Sequence, residues 1–355
     1  MTSAYINAIA TAVPNHEVHH RFDAFARSQI TDKRRAILTR MSQRSGIERR
    51  YSVLAPSARP DDPHALDADG FFRLGDFPDT AARMKVYDRE AAPLAAKAAR
   101  KLPPDALASV THLIVTSCTG FAAPGVDVQL LAALGLPLTT QRTMIGFMGC
   151  YAAINAMRLA DAIVRADEDA VVLIVSVELC TLHLQETDDL EVVLSFMLFG
   201  DGCAAALVSG REEGFRLTGF KTALMPAADD LITWHVGQQG FDMRLSGEVP
   251  GALAAALPDA VRELEPRGPA AVDLWAVHPG GRSVLDAVER SLGLCETVLT
   301  PSRAVLRENG NMSSPSVLFV LSHMLDGAPA AGARGLAMAF GPGLTAEGMR
   351  FEAAG

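Results

Sequence analysis

Three residues in this chain have side chains and settings suited to chemistry: Cys150, His278 and Asn311. Cys150 lies in Gly146-Phe147-Met148-Gly149-Cys150-Tyr151-Ala152-Ala153, with glycines and apolar residues leading in and small helix formers leading out. That pattern places a thiol at the first turn of a buried helix, where free backbone N–H groups and the positive end of the helix dipole favour a thiolate. A thiolate is a nucleophile, so the residue points to covalent catalysis. His278 follows an apolar run and enters the turn Val277-His278-Pro279-Gly280-Gly281-Arg282. At the carboxyl end of a strand in an α/β sheet, a side chain faces the usual ligand crevice. Asn311 lies in Glu308-Asn309-Gly310-Asn311-Met312-Ser313-Ser314-Pro315, a run of turn formers in which Ser314 before Pro315 reads as a helix N-cap.

In that order the three supply a nucleophile, a base or hydrogen-bond donor, and an amide donor. Such a set can hold an acyl group as a thioester and offer N–H groups to an enolate or thioester oxygen. Each also has a plainer use: a cysteine in an apolar helix packs, a histidine after a strand finds a partner, and Asn and Ser make turns. A Cys-His-Asn protease uses the same residue types, but the papain-type C-G-[SA]-C-[WY] pattern is missing around Cys150.

These residues need a scaffold, and the hydrophobic pattern supplies one. Near-continuous apolar runs at His112–Thr116, Val171–Val177, Cys203–Val208, Asp273–Val277 and Gly335–Phe340 read as strands covered on both faces. Helical patterns lie between them at Asp88–Lys101, Val126–Leu134, Ala152–Arg165, Val284–Leu292 and Ser314–Leu325. The alternation implies an α/β fold. Ala55–Asp79, rich in proline and aspartate, reads as a long surface loop, and Arg211–Gly214 as a hinge between two halves. Both halves end alike, in Phe199-Gly200-Asp201-Gly202 followed by an apolar run and in an apolar run followed by Phe340-Gly341-Pro342-Gly343. This points to an internal duplication.

Composition narrows the class. The chain has 355 residues, enough for two domains or fused halves. A net charge of −9 argues against a nucleic-acid binder, while leaving room for a local basic patch that meets a phosphate-bearing ligand. Five cysteines without a short C-x-x-C spacing argue against a disulfide framework or a metal site and fit reduced thiols in the cytoplasm. No signal peptide and no apolar stretch of membrane-spanning length is evident, so no membrane span is expected.

Taken together, Gly149-Cys150, His278-Pro279-Gly280-Gly281, Gly310-Asn311-Met312-Ser313-Ser314, Phe199-Gly200-Asp201-Gly202 and Phe340-Gly341-Pro342-Gly343-Leu344-Thr345 resemble the type III polyketide synthases, the chalcone-synthase-like branch of the thiolase superfamily. All five occur in family order over most of the chain, with no clear match between Tyr51 and Ala92. The resemblance implies a thiolase-like αβαβα layered fold of two similar halves, residues 1–211 carrying the nucleophile and 212–355 carrying the histidine and asparagine, working as a homodimer. It implies that Cys150 holds a starter acyl group as a thioester, drawn from acyl-CoA. His278 and Asn311 then stabilise the carbanion formed as malonyl-CoA loses CO2, and His278 keeps Cys150 ionised as an ion pair. No metal or redox cofactor is implied beyond the CoA thioester substrates.

Further positions follow from the same resemblance. Phe199 matches the family's aromatic gate, and Met243 falls at a second gate. Cys118, Cys180 and His183 stand where plant members carry threonines, and Ser313 adjoins the asparagine; all belong to the expected gate and cavity. Arg40 and Arg44 match basic CoA-binding positions, Ile37 replaces a third, and Arg282 beside the histidine turn is a further candidate phosphate contact. The run Glu178-Leu179-Cys180 resembles bacterial members, which accept varied starters, including fatty acyl-CoA, and make alkylpyrones, alkylresorcinols or small polyhydroxylated aromatics. Two alternatives stay open on sequence: a priming ketoacyl carrier-protein synthase that condenses once, and a non-catalytic thiolase-fold subunit.

Overall fold

The computed structural model describes residues 2–30, 32–59, 66–225 and 228–355, with only the backbone described at 32 and 33. Its centre is a nine-stranded sheet in the spatial order Leu274–Val277, Arg334–Gly341, Thr345–Ala353, Phe215–Leu224, Tyr5–Ala12, Asp201–Ser209, Val172–Leu179, His112–Ser117, Gln141–Gly146. The strands alternate their side chains between two apolar layers. Leu173, Val175 and Val177 enter one core with the helix Thr80–Ala99, while Val172 and Ile174 enter another with the helix Ala152–Ala166. In the second half Trp275, Val277, Leu336 and Met338 face the helices Val249–Leu264 and Arg282–Leu292, whereas Ala276, Ala337 and Ala339 face inward. A period of two with both faces apolar is what a doubly covered strand requires.

The middle layer is made by Ala152–Ala166 and Pro315–Asp326, which pack between strands of both halves. The result is the expected αβαβα layering: helix, strand, helix, strand, helix. Small residues make the middle layer thin. Ala153, Ala156 and Ala160 on the first helix and Ala204, Ala206, Ala337 and Ala339 on the strands are all buried there.

Three expectations change on contact with the structure. Of the loop expected at Ala55–Asp79, residues 60–65 lie outside the described residues. The described part beyond them is folded: Leu66, Phe72 and Phe77 are buried in the outer core, and the Asp67 carboxylate accepts from the N–H groups of Asp69, Phe71 and Phe72. The following helix starts at Thr80, eight residues before the expected Asp88, because the Asp79 carboxylate caps it by accepting from Ala82 N at 2.7 Å. The expected hinge at Arg211–Gly214 is a fastened turn. The Asn7 side chain donates to the carbonyls of Arg211 and Glu213, and Ala354 N donates to Gly214 O.

Candidate active site

Cys150 is set by a sharp reversal. The strand Gln141–Gly146 ends, Phe147 and Gly149 adopt positive φ of 56° and 74°, and a 3-10 turn over Gly149–Tyr151 runs into the helix Ala152–Ala166. The thiol thus stands one short turn before the α-helix proper. Gly149 N donates to the sulfur of Cys118 at 2.9 Å. From the other half, the turn Phe340–Pro342 closes on the cysteine. A Cβ added at Gly341 would lie 3.2 Å from Cys150 N, and one at Gly149 would overlap the Pro342 ring.

His278 follows the strand Leu274–Val277, and its N–H donates to Met338 O at 2.8 Å. The ring is 1% exposed, yet neither Nδ1 nor Nε2 has a hydrogen-bond partner. Asn311 is fixed by its backbone: its N–H donates to Leu198 O, its carbonyl accepts from Gly200 N, and Phe199 and Asn311 form a parallel bridge. The side-chain amide donates from Nδ2 to Gly280 O at 3.2 Å, and Oδ1 accepts from Ser313 N at 2.8 Å. Ser313 sits at φ 59°, a strained conformation for a residue with a side chain.

The structure brings these segments to one cavity with about 790 Å³ of empty space between its walls. Cys150, His278, Asn311, Ser313, Phe199, Cys118, Cys180 and Met243 all line it. Ile232, Leu245, Val249 and Leu253 make the rest of the wall largely aliphatic. His183 does not line it. Its Nε2 contacts Thr119 O at 2.7 Å and its Nδ1 accepts from Phe241 N, with the ring stacked on Phe241 at 4.1 Å. These bonds make His183 a buried strut, and burial holds its pKa down to about 3.

The electrostatics differ from the sequence expectation of an ionised cysteine. Burial pushes the Cys150 thiol up to about 12, against hydrogen bonds from Ser313 and Asn311 that pull it down. Burial also lowers His278 to about 3. A dry pocket disfavours either charge alone, so burial works against the expected ion pair unless the two charges form together.

A second space, about 2190 Å³, forms a groove outside the cavity and shares Leu245, Val249, Gly280 and Val284 with it. Arg44 and Arg282 line this groove, and Arg282 Nη1 donates to Arg44 O at 3.4 Å. Arg40 is exposed on the same helix, Asp32–Arg44, but outside the lining.

Sequence reasoning passed over three residues of the site. Glu178 is fully buried, accepts from Cys118 N (2.8 Å), Thr119 Oγ1 (2.8 Å) and Ser314 Oγ (2.6 Å), and is raised by burial to about 7. Its signal was a lone carboxylate in an apolar strand. The bond to Glu178 also corrects the expected capping role of Ser314, which stands at the N-cap position without a capping bond. Trp234 lines the cavity and donates from Nε1 to Cys118 O at 2.7 Å. Arg50 bonds the carbonyls of Phe196 and Phe199 from beneath the cavity wall.

Comparisons with known proteins give the family. Residues 1–212 match the family described as chalcone and stilbene synthases, N-terminal domain, and residues 217–354 match its C-terminal domain. Among curated proteins, the alpha-pyrone synthesis polyketide synthase-like Pks18 of Mycobacterium tuberculosis is 34% identical, covering 99% of this chain and 91% of its own. Bisdemethoxycurcumin synthase of Oryza sativa subsp. japonica is 31% identical, covering 99% and 92%. Among solved structures, PKS-I of the brown alga Ectocarpus siliculosus superposes with a TM-score of 0.86 at 30% identity, covering 99% of both chains. The C-terminal type III polyketide synthase domain of Steely1 from Dictyostelium shares the fold, with a TM-score of 0.88 at 22% identity, covering 99% of this chain and 100% of that one.

Proposed function

The chain belongs to the chalcone and stilbene synthase family and is a type III polyketide synthase, and from that premise we propose how its cavity divides the work. Cys150 Sγ attacks the thioester carbonyl of a starter acyl-CoA, its proton passes to His278, and the CoA thiolate leaves. Malonyl-CoA then enters. Its carboxylate departs as CO2, and the enolate oxygen left behind accepts hydrogen bonds from His278 and the Asn311 Nδ2 amide. The enolate carbon attacks the Cys150 thioester, a carbon–carbon bond forms, and the Cys150 thiolate is released for the next round. The imidazole serves both stages: it takes the thiol proton, passes it to the departing CoA thiolate, and then donates an N–H to the enolate.

The observation that carries this reading is the His278 ring, buried with both nitrogens unpartnered on a cavity that also holds Cys150 and Asn311. Buried polar atoms are nearly always satisfied, so such a pair of orphans on a cavity wall calls for a ligand.

Phe199 is the gate between groove and cavity, and the groove lined by Arg44 and Arg282 receives the CoA phosphates. The aliphatic lining and Met243 favour a fatty acyl starter. The alpha-pyrone synthesis in the Mycobacterium relative's name supports lactone closure to an alkylpyrone. The strand Gln141–Gly146 ends the sheet with an unpaired edge, near exposed Phe121, Leu138, Met144 and Phe147; a second copy of this chain covers it. Incubation with malonyl-CoA and a panel of acyl-CoAs tests the reading through CO2 release and product mass. Several malonyl units per product are expected. A single condensation that requires carrier-protein-bound malonate, or no CO2 with any starter, overturns it.

A further inference from the structure

Arg50 is 0% exposed, and its hydrogen bonds all go to neutral groups. Nε donates to His19 Nδ1 at 3.2 Å, and Nη1 donates to the carbonyls of Phe196 at 2.9 Å and Phe199 at 3.0 Å. Nη2 has no partner, and the guanidinium carbon lies 5.5 Å from the centre of the Phe22 ring. Burial lowers its pKa only to about 10, so the group is charged at neutral pH. Asp23, Glu17 and Asp201 offset the charge without bonding it, and a buried charge whose hydrogen bonds all go to neutral acceptors is costly. Filling space would not require it.

What it holds is the cavity wall. Phe196 and Phe199 both line the cavity. Phe196 ends the helix Leu190–Phe196, so its carbonyl lacks an intrahelical partner, and Arg50 satisfies it. In the stretch behind Phe199, the Leu198 carbonyl and the Gly200 N–H are taken by Asn311, and the Phe199 carbonyl by Arg50. The stem of Arg50 also packs against Gly310, the residue before Asn311. Gly310 has φ 68°, and a Cβ there would lie 2.8 Å from Arg50 Cγ and 3.0 Å from Cδ. Gate backbone, amide backbone and arginine therefore form one rigid joint, which reaches the Cys150 sulfur through the Asn311 side chain only, Ser313 being a second hydrogen-bond partner that Arg50 does not touch.

We infer that Arg50 is a positioning residue for the decarboxylation half of the reaction. It locks Phe199 and Asn311 into one unit, whereas acyl loading on Cys150 draws also on Ser313 and on the turn Gly149–Tyr151. The inference rests on the roles proposed above for Phe199, Asn311 and Cys150.

Full-length Arg50→Met and Arg50→Lys, compared with wild type in two partial reactions, test it. One is acylation of the protein by a starter acyl-CoA without malonyl-CoA; the other is CO2 release from malonyl-CoA without starter. Arg50→Met is expected to keep the acylation rate within about threefold while decarboxylation kcat falls about 30-fold at unchanged KM, since sub-ångström misplacement of a transition-state donor acts on kcat. Arg50→Lys, whose ammonium can donate to the same carbonyls, is expected to recover part of that loss. Parallel losses in both reactions, or undiminished decarboxylation, overturn the inference. Where Arg50→Met does not fold, His19→Phe removes the Nε acceptor and is expected to lower decarboxylation about threefold with acylation unchanged; equal losses overturn the inference there too. Wild-type protein that releases no CO2 overturns the functional reading itself, whereas wild-type activity with parallel losses in the variants overturns only the role of Arg50.

Discussion

Gly149 and Pro342 come from opposite halves of the chain, and the proline ring fills the space that a side chain at position 149 would need. The second half thereby sets the backbone that aims the first half's thiol.

Gly149→Ala tests this closure. The added methyl meets Pro342 and must also adopt φ 74°, a region that costs a non-glycine residue about 1–2 kcal/mol before any clash. The variant is expected to lose at least about 2 kcal/mol in urea unfolding and about 100-fold in the rate of acylation. Wild-type acylation in a stably folded Gly149→Ala protein would show that the closure does not aim the thiol.

Glu178 makes a prediction about pH. Its folded pKa of about 7 lies above its ordinary 4.5, so the folded state holds the proton more tightly than the unfolded chain. Its contribution to stability is complete below the ordinary value and drains away as pH rises through about 7. Glu178→Gln cannot titrate, so it is expected to gain on wild type by about 2 kcal/mol between about pH 5.5 and 8. Urea unfolding of both proteins at the two pH values measures the change. A constant difference would mean that Glu178 ionises normally. Asp201, raised by burial to about 6, titrates in both proteins and cancels.

Met243 stands on the cavity wall among Ile232, Leu245 and Val249. Met243→Trp adds bulk where an aliphatic tail would lie. Use of long-chain acyl-CoA starters is expected to fall at least about tenfold in kcat/KM, with short starters changed less than about twofold. Competition between two starters, read by product mass, gives the ratio. Equal loss for both lengths would place the tail elsewhere.

The elements legible in the sequence were those covered on both faces. The apolar runs at His112, Val171, Cys203, Asp273 and Gly335 all became strands, because burial on two sides leaves no polar alternation to confuse the pattern. Tyr5–Ala12, Phe215–Leu224, Thr345–Ala353 and the edge Gln141–Gly146 were passed over. Phe215–Leu224 carries Arg216, Thr218, Lys221 and Thr222 and reads as mixed until its antiparallel partners are in place, and the edge strand is largely exposed. In the site, the segments around Cys150, His278 and Asn311 were legible because glycines and prolines punctuate them. Glu178, Trp234 and Arg50 were not, since each acts through a partner far away in the chain: Glu178 on Ser314, Trp234 on Cys118, Arg50 on Phe199. The opposition of burial to a Cys150 thiolate was not legible for a related reason. A helix N-terminus favours a thiolate, but the dry walls that oppose it come from both halves of the fold.

The central claim is that Cys150 carries the growing acyl chain. Intact-protein mass spectrometry after incubation with a starter acyl-CoA tests it most directly, with peptide mapping to place the adduct. One acyl group per chain on the peptide containing Cys150 is expected in wild type and none in Cys150→Ala, which should still release CO2 from malonyl-CoA through His278 and Asn311. An adduct on Cys118 or Cys180, or full-length product from Cys150→Ala, would contradict the account.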